Sequence, residues 1–352
     1  MKKSLIALAV LASSGAAMAQ SSVTLFGIVD TGVTYIDNAN AAGDNVYGLT
    51  TSGNATSRLG FRGTEDLGGG LKAGFWLEGE IFGDNGNASG FNFQRRSTIS
   101  LMGGFGEVRL GRELTPGYSK TSGYDIFGQT GIGQFNGWQN WVGSPTADAG
   151  NVRSSNMISY YTPNFGGFTA GLGYGFDEQT VGKAGRYAGG FGAYDNGPLS
   201  VAVSYDQRDL VTAANAAISR DTLTVGASYN LNVAKLSTLL QQSKYDRPGQ
   251  SDAKFNAYAV GASVPVGAGE FKLQYALYDQ KAIDSKAHQL ALGYVHNLSK
   301  RTALYGTYAY LKNKDASNQV LPGVASKGLS NVGGPGIGEN QSGVQVGVRH
   351  SF

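Results

Sequence analysis

Few residues in the chain have the types and spacing that catalysis requires. The only histidines are His288, His296 and His350, and a serine hydrolase needs a histidine that an acid orients beside its nucleophile. All three stand near the ends of alternating segments or beside a turn, which favours a place at an interface over a catalytic role. The sequence contains no HExxH motif and no P-loop, and the glycine-rich GLGYGF (171–176) matches a phosphate-binding loop only weakly. We therefore predict that the protein is not an enzyme.

Metal ligands are equally sparse. The chain has no cysteine, and its histidines and carboxylates show no spacing typical of a zinc or iron site. Acidic loops such as DNGN (84–87) could hold Ca²⁺ loosely, because carboxylate and carbonyl oxygens are the ligands that calcium prefers. Apart from such calcium we expect no cofactor and no metal centre.

The charged residues that do follow a pattern lie on one side of alternating segments. In SRLGFRGTED and LKAGFWLEGEI every second residue is apolar, and the other side carries Arg58, Arg62, Lys72, Glu78 and Glu80. A period of two is that of a β-strand with two different faces. Charged groups on one face of a strand can set up an electric field in a water-filled space, and rings of arginine favour anions there. Such a role requires strands that enclose water.

Sixteen segments of the chain alternate in this way. The last, GVQVGVRHSF, places Val344, Val346, Val348 and Phe352 on one face. Glycine-rich turns such as LGGG join neighbouring segments, which is typical of β-hairpins. We expect the valines to face lipid and Phe352 to lie at the membrane boundary, where aromatic residues form a girdle.

The connections between the segments alternate in length. Short turns such as 66–70 and 297–301 alternate along the chain with long polar loops such as 36–56 and 312–341. This alternation is typical of up-and-down barrels of the outer membrane. Each segment has roughly the 9–11 residues that a tilted strand needs to cross a bilayer. Closure removes unpaired strand edges, and sixteen strands leave an aqueous channel. We predict an all-β fold, a 16-stranded antiparallel transmembrane β-barrel that encloses a pore.

The first 19 residues, MKKSLIALAVLASSGAAMA, have the charged, apolar and small-residue regions of a secretory signal peptide. A membrane anchor is the alternative, but the apolar run is too short to cross a bilayer. Cleavage leaves residues 20–352 as a single barrel domain and removes two lysines, which lowers the formal net charge from +3 to +1. A nearly neutral chain is a poor nucleic-acid binder, so we exclude that class of partner.

Several stretches in combination carry a family resemblance: SSVTLFGIVDTGV, SRLGFRGTEDLGGGLKAGF, GGFGEVRLGRE, SSNMISYYTPNFGGF and the terminal GVRHSF. Over essentially its whole mature length the chain resembles the general trimeric porins of Gram-negative bacteria, above all those of betaproteobacteria. The resemblance implies a homotrimer of multi-pass barrels in the outer membrane, surrounded by lipid and lipopolysaccharide. It also implies a diffusion channel for small hydrophilic solutes and ions, with a third long loop that folds inward and narrows it.

The loop that the resemblance turns inward corresponds to residues 115–150, the longest segment without alternation. A loop of this length without its own structure is usually functional or disordered, and this one is rich in aromatic residues: Tyr118, Tyr124, Phe127, Phe135, Trp138 and Trp141. An outer lid or a subunit contact is the alternative. We expect its first half to line the constriction, with Asp125 as the negative group.

The wall opposite this loop should carry the positive charge. The resemblance implies an arginine cluster at Arg58, Arg95 and Arg153, with Glu78 as an acidic residue of the lumen. Simple alternation disagrees at one position, because it gives Arg96 the lumen and Arg95 the lipid unless a bulge intervenes. Secondary lumen candidates are Arg62, Arg96, Lys72 and Glu80. Guanidinium groups across from a carboxylate raise the local anion concentration without tight binding, so we predict a weak preference for anions.

Two other functions remain open from the sequence. A channel specific for phosphate or an organic anion would show saturable conductance and inhibition by its solute. A barrel-anchored adhesin or receptor would use its long loops to bind a partner, although a charged lumen and an inward loop argue against a barrel that serves only as an anchor.

Overall fold

The computed structural model describes residues 22–86, 92–138, 152–210, 218–246, 249, 251–323, 327–329 and 332–352. The predicted signal peptide (1–19) lies outside the described residues. Seventeen strands make up the fold: β1 (Ser22–Asp37), β2 (Val46–Thr51), β3 (Arg58–Gly68), β4 (Leu71–Glu80), β5 (Arg96–Gly103), β6 (Gly106–Leu114), β7 (Arg153–Tyr161), β8 (Phe168–Gly175), β9 (Tyr187–Asn196), β10 (Leu199–Leu210), β11 (Ile218–Asn230), β12 (Lys235–Asp246), β13 (Ala253–Val266), β14 (Gly269–Gln280), β15 (Ser285–Asn297), β16 (Thr302–Asp315) and β17 (Gln341–Ser351). One short helix, α1 (Pro116–Thr121), follows β6, and no helix within the described residues has the length and apolar character needed to cross a membrane.

The strands close into a ring. From β3 onward each strand pairs antiparallel with the next, and β17 pairs with β1 over Ile28–Asp37. The other edge of β1 pairs with β3 over Ser22–Ile28 and with β2 over Thr31–Ile36. Strands β2 and β3 therefore lie end to end and together occupy one strand position of the wall. The seventeen strands of the described residues thus fill sixteen positions. The predicted sixteen-stranded antiparallel barrel is confirmed, although residues 46–51, which the sequence analysis places in a long connection, form β2.

The two faces of each strand meet different surroundings. On β1 the side chains of Val29 and Val33 point outward and are 41% and 49% exposed, whereas the next residue after each, Asp30 and Thr34, is fully buried on the inner side. Val344, Val346 and Val348 are likewise exposed on the outer face of β17. Apolar side chains on the outer face suit hydrocarbon, and polar ones on the inner face suit a wet interior. The alternation of apolar and polar residues in the sequence therefore corresponds to the outer and inner faces of the barrel wall.

The end of the chain lies against β1. The backbone N–H of Phe352 donates to the carbonyl of Gly27 at 3.0 Å, and the N–H of Gly27 donates to the carbonyl of Phe352 at 3.1 Å. The ring of Phe352 covers the outer side of Gly27 so closely that a side chain at this glycine would collide with it. Gly27 thus admits the aromatic ring to the outer surface, where 43% of Phe352 is exposed.

The apolar core lies inside the barrel, between the third long loop and one side of the wall. The loop residues of this core are Tyr124, Ile126, Phe127, Ile132, Phe135 and Trp138. The wall contributes larger residues such as Leu239 and Tyr278 together with a set of alanines: Ala202, Ala257, Ala259, Ala276, Ala287, Ala291 and Ala309. A side chain at Gly226 on β11 would collide with the ring of Tyr124. Small residues on β10 to β16 therefore make room for a loop that carries large ones.

Asp30 on β1 holds the connection between β2 and β3 against the wall. Its carboxylate accepts hydrogen bonds from the backbone N–H groups of Gly53 (3.2 Å), Asn54 (2.8 Å) and Ala55 (2.6 Å), and from the hydroxyl of Tyr305 (2.7 Å). Since a carboxylate is a strong acceptor for several donors at once, this one side chain fixes a segment that faces the pore.

Replacing Asp30 with alanine is expected to destabilise the barrel. The change leaves three backbone N–H groups without their acceptor, of which that of Gly53 is buried and those of Asn54 and Ala55 are partly buried. Since a buried donor left unpaired costs about 1–3 kcal/mol, we expect a loss in that range. Thermal unfolding in detergent measures it. The control is Asp37→Ala on the exposed end of the same strand, and equal melting temperatures for the two variants would contradict the role of Asp30.

Candidate functional site: the pore constriction

The third long loop lies inside the barrel because its polar groups bond to the wall formed by β9, β14 and β15. The ammonium of Lys120 lies 2.7 Å from the carboxylate of Asp195 on β9. Further along, the N–H of Ile126 donates to the side chain of Gln274 on β14 at 3.1 Å, and the side-chain amide of Gln289 on β15 donates to the carbonyl of Ile132 at 3.0 Å. The described part of the loop, residues 115–138, is thus bound inside the barrel as predicted, and Trp141 lies outside the described residues.

A cavity of about 420 Å³ separates this loop from the opposite wall. The loop contributes Tyr118, Ser122, residues 128–131 and Gln134 to its lining. The facing side carries most of the charge: Arg58, Arg95, Arg153, Lys327 and Glu80. The narrow part of the lumen is therefore polar and predominantly positive.

Three of the predicted site residues meet around a fourth. The carboxylate of Glu78 on β4 lies 2.6 Å from Nε of Arg95 and 3.7 Å from a terminal nitrogen of Arg58. Nε of Arg153, at the start of β7, donates to the backbone carbonyl of Arg95 at 3.0 Å. Glu78 is 7% exposed, so it acts as the buried acceptor that orients two guanidinium groups. Three positive charges against this one carboxylate leave the cluster net positive.

Simple alternation is wrong for Arg95. Strand β5 begins at Arg96, so Arg95 precedes the strand, and its side chain turns inward to Glu78. Arg96 also lies on the lumen side, where Nε donates to the hydroxyl of Thr98 at 3.0 Å. Both arginines therefore reach the lumen, one from the loop and one from the strand.

Asp125 does not lie where the sequence places it. Its carboxylate accepts hydrogen bonds from the backbone N–H groups of Phe127 (3.2 Å), Gln129 (2.7 Å) and Phe135 (3.3 Å) and from the side-chain amide of Gln129 (2.8 Å). It is 5% exposed, and burial raises the pKa of its carboxyl group above the ordinary value. The carboxylate points into the loop and holds its turns together. Among the described residues, the acidic groups at the constriction are Glu80, which lines the cavity, and Glu78, which is bonded to Arg58 and Arg95.

Sequence reasoning missed Lys327. It comes from the long connection between β16 and β17, and its ammonium group binds the carboxylate of Glu80 on β4. It lines the same cavity as the arginines. Alternation gives no signal for such a residue, because it belongs to a loop that is distant in sequence from the strands it meets.

Replacing Lys327 with glutamine is expected to weaken the anion preference of the channel. The change removes one positive charge from the cavity and leaves Glu80 without its cation. Because the side chain is partly solvated, we expect a loss of about 1 kcal/mol or less in ion free energy, up to fivefold in permeability ratio. Reversal potentials in a salt gradient measure it, with the exposed Lys300→Gln as control. An unchanged potential would contradict a role for Lys327 in the constriction.

Of the four secondary candidates, one lies at the constriction, two line a second cavity, and one lies at neither. Glu80 joins the constriction through Lys327. Arg62 and Arg96 line a second cavity nearer the short turn that follows β3. Lys72 on β4 pairs across the ladder with Asp66 and Met102 and is exposed.

The three histidines are bonded to hydroxyl groups. Nδ1 of His288 lies 2.6 Å from the hydroxyl of Tyr275, and Nδ1 of His350 lies 2.9 Å from the hydroxyl of Thr302. His296 stands 3.3 Å from the hydroxyl of Tyr294. Within the described residues no group of three or more His, Asp or Glu could hold a metal ion. Loosely bound calcium at 84–87 stays a prediction, and residue 87 lies outside the described part.

Comparison with known proteins settles the family. The model for the Gram-negative porin family matches residues 4–316. The chain is a Gram-negative porin. Outer membrane porin protein 32 of Delftia acidovorans is 66% identical over 357 residues and is matched over the full length of both chains. An outer membrane porin protein of Bordetella pertussis is 35% identical, with 89% of this chain and 95% of that protein covered.

Solved structures agree with the sequence comparison. The anion-selective porin from Comamonas acidovorans matches with a TM-score of 0.89 at 64% identity and covers 95% of this chain and 100% of its own. OmpF of Salmonella typhi, at 16% identity and a TM-score of 0.67, shows the shared fold alone, with 94% of this chain and 98% of that chain covered. The porin is therefore a multi-pass protein of the outer membrane that forms a water-filled diffusion channel, and the family resemblance drawn from the sequence is confirmed.

Proposed function

We propose that this porin passes small hydrophilic solutes with a weak preference for anions. The observation that carries the proposal is the charge of the constriction, where Arg58, Arg95, Arg153 and Lys327 face the lumen with Glu78 and Glu80 as their only acidic partners within the described residues. A surplus of positive charge in a narrow aqueous passage concentrates anions and repels cations. The anion selectivity of the similar porin from Comamonas acidovorans supports the same interpretation.

The preference should be weak because much of the positive charge is already neutralised. Arg95 forms a close pair with Glu78, and Lys327 binds Glu80. Paired groups still orient water and solutes, but their fields partly cancel beyond the pair. The passage therefore favours anions by concentration and not by tight binding, which keeps release fast.

Planar-bilayer recordings test the proposal. In a KCl gradient the reversal potential should show that chloride is more permeant than potassium, and conductance should rise in proportion to salt. A clear preference for potassium would refute the assignment of the arginine cluster. Conductance that saturates, together with inhibition by phosphate or an organic acid, would favour a substrate-specific channel instead.

We also propose that the porin forms a homotrimer in lipid and lipopolysaccharide. Strands β1 and β2 expose large apolar side chains on their outer faces, including Val33, Tyr47 and Leu49. An apolar face of this kind fits a subunit contact as well as it fits lipid. Native mass spectrometry in detergent should give three times the chain mass, and a monomer under mild extraction would contradict the proposal.

A further inference from the structure

We propose that the lumen holds a second anion site, formed by Arg62, Arg96 and Arg109, which takes small oxyanions such as inorganic phosphate or a carboxylate. These side chains, on β3, β5 and β6, line a cavity of about 390 Å³ that is separate from the constriction. The inference rests on the proposed anion preference, because an oxyanion reaches this cavity only through a passage that admits anions.

The second cavity lies in series with the first. Arg62 stands four residues beyond Arg58 on β3, in the direction of the short turn at Gly68–Gly70. At about 3.3 Å per residue this separates the two positions by about 13 Å along the strand. Both side chains point into the lumen, so an anion that leaves the constriction toward the short turns next meets Arg62.

The charges of the second cluster do not cancel. Arg109 lies between two carboxylates, 2.8 Å from Glu107 and 2.9 Å from Glu113, and Arg96 stands 3.8 Å from Glu113. No salt bridge joins Arg62 to a carboxylate within the part of the chain that the structure describes. Three guanidinium groups therefore share two carboxylates, and Arg62 carries the remaining charge at an exposed position.

Aromatic rings hold these guanidinium groups in place. The central carbon of Arg62 lies 5.1 Å from the ring centre of Phe26 and 5.0 Å from that of Trp76. Arg96 lies 4.6 Å from the same Trp76 ring, and Arg109 lies 4.2 Å from the ring of Tyr161. Contact with an aromatic face occupies the flat side of a guanidinium group and leaves its edge free to donate. Arg109 uses its edge for Glu107 and Glu113, so the N–H donors that remain available to an anion are above all those of Arg62.

The remaining lining includes hydroxyl donors for an oxyanion, and the one carboxylate among the described lining residues, Glu107, is paired with Arg109. The hydroxyl-bearing residues Thr24 and Thr64 line the cavity beside Arg62. Hydroxyl groups and guanidinium edges are both hydrogen-bond donors, and two donors of one guanidinium match two oxygens of a carboxylate or phosphate. A monatomic anion such as chloride uses only part of this arrangement. We therefore expect the site to hold oxyanions longer than it holds chloride.

Crystals soaked in sodium selenate test the site directly, because selenate is a tetrahedral oxyanion whose selenium scatters anomalously. An anomalous peak should appear within hydrogen-bond distance of the Arg62 guanidinium in the unmodified porin. It should vanish in Arg62→Gln and persist in Lys72→Gln, which removes an equal charge from an exposed residue of the neighbouring strand outside the cavity. No peak in the unmodified porin, or a peak that survives in Arg62→Gln, overturns the inference.

Bilayer recordings provide a second readout that separates this inference from the proposed function. In potassium phosphate at about 0.1 M, Arg62→Gln should lower the single-channel conductance about twofold, and the difference should fade at about 1 M, where charges are screened within about 3 Å. Lys72→Gln should have a smaller effect. Anion preference in KCl together with identical phosphate conductance in the two variants would refute the second site and leave the proposed function standing.

Discussion

Replacing Arg58, Arg95 and Arg153 together with glutamine is expected to turn the porin from anion preference to cation preference. The change removes three positive charges from the cavity and leaves Glu78 exposed to the passage without its cations. A unit charge about 4 Å from an ion contributes about 1 kcal/mol in water. With partial screening, we expect the chloride-to-potassium permeability ratio to fall by about tenfold, or about 1.4 kcal/mol.

Reversal potentials in a KCl gradient measure this change. The matched control removes three exposed positive charges from connections outside the constriction, with Lys183→Gln, Lys300→Gln and Arg301→Gln in one chain. It should keep the anion preference. If the triple arginine variant fails to fold because Glu78 is buried without a partner, adding Glu78→Gln restores neutrality, and the preference should then disappear without reversing. Retention of anion preference in this variant would show that the arginines do not set selectivity.

Replacing Asp125 with alanine is expected to loosen the third long loop and widen the passage. The carboxylate holds the backbone N–H groups of Phe127, Gln129 and Phe135 within the loop. Loss of this acceptor leaves buried donors unpaired, at about 1–3 kcal/mol for each. We expect larger single-channel conductance, more frequent current fluctuations and a weaker anion preference, because the loop no longer confines ions near the arginines.

Two variants distinguish this role from a direct effect of charge. Asp125→Asn removes the charge and keeps one carbonyl acceptor, so it should lie between the unmodified porin and the alanine variant in conductance. Asp44→Ala, in the exposed first long loop, should leave conductance unchanged. If Asp125→Asn and Asp125→Ala both shift ion selectivity toward anions at constant conductance, Asp125 acts as a pore charge and its structural role is wrong.

The sequence predicted the barrel because one face of each strand meets hydrocarbon and the other meets water. Apolar and polar residues alternate along the strands for this reason, and apolar residues face outward from Val29 on β1 to Val348 on β17. The division of one wall position between β2 and β3 was not predicted. It depends on Asp30, whose hydrogen bonds to residues 53–55 fix the connection between the two strands, and a single buried carboxylate leaves no periodic signal.

Alternation placed the site residues that lie in strands and failed for those that lie in loops, although the family resemblance had included Arg95. Arg58, Glu78 and Arg153 stand at strand positions, and the structure brings them together as expected. Arg95 precedes its strand, and alternation assigns it to the wrong face. Lys327 belongs to a loop distant in sequence, for which alternation makes no prediction. Their positions depend on tertiary contacts that spacing along the chain does not encode.

The apolar core between the third long loop and β10 to β16 makes the two sides of the passage electrostatically different. On one side, water in the passage borders the uncharged polar face of the loop, with the weakly polarisable core behind it. On the other side it borders a row of guanidinium groups, and walls of low polarisability concentrate field lines in the water between them. This field would turn a permeating molecule that has one acidic end and one uncharged end across the passage, with its carboxylate toward Arg58 and its uncharged end toward the loop. Orientation during transit would then sort solutes of equal size and equal charge.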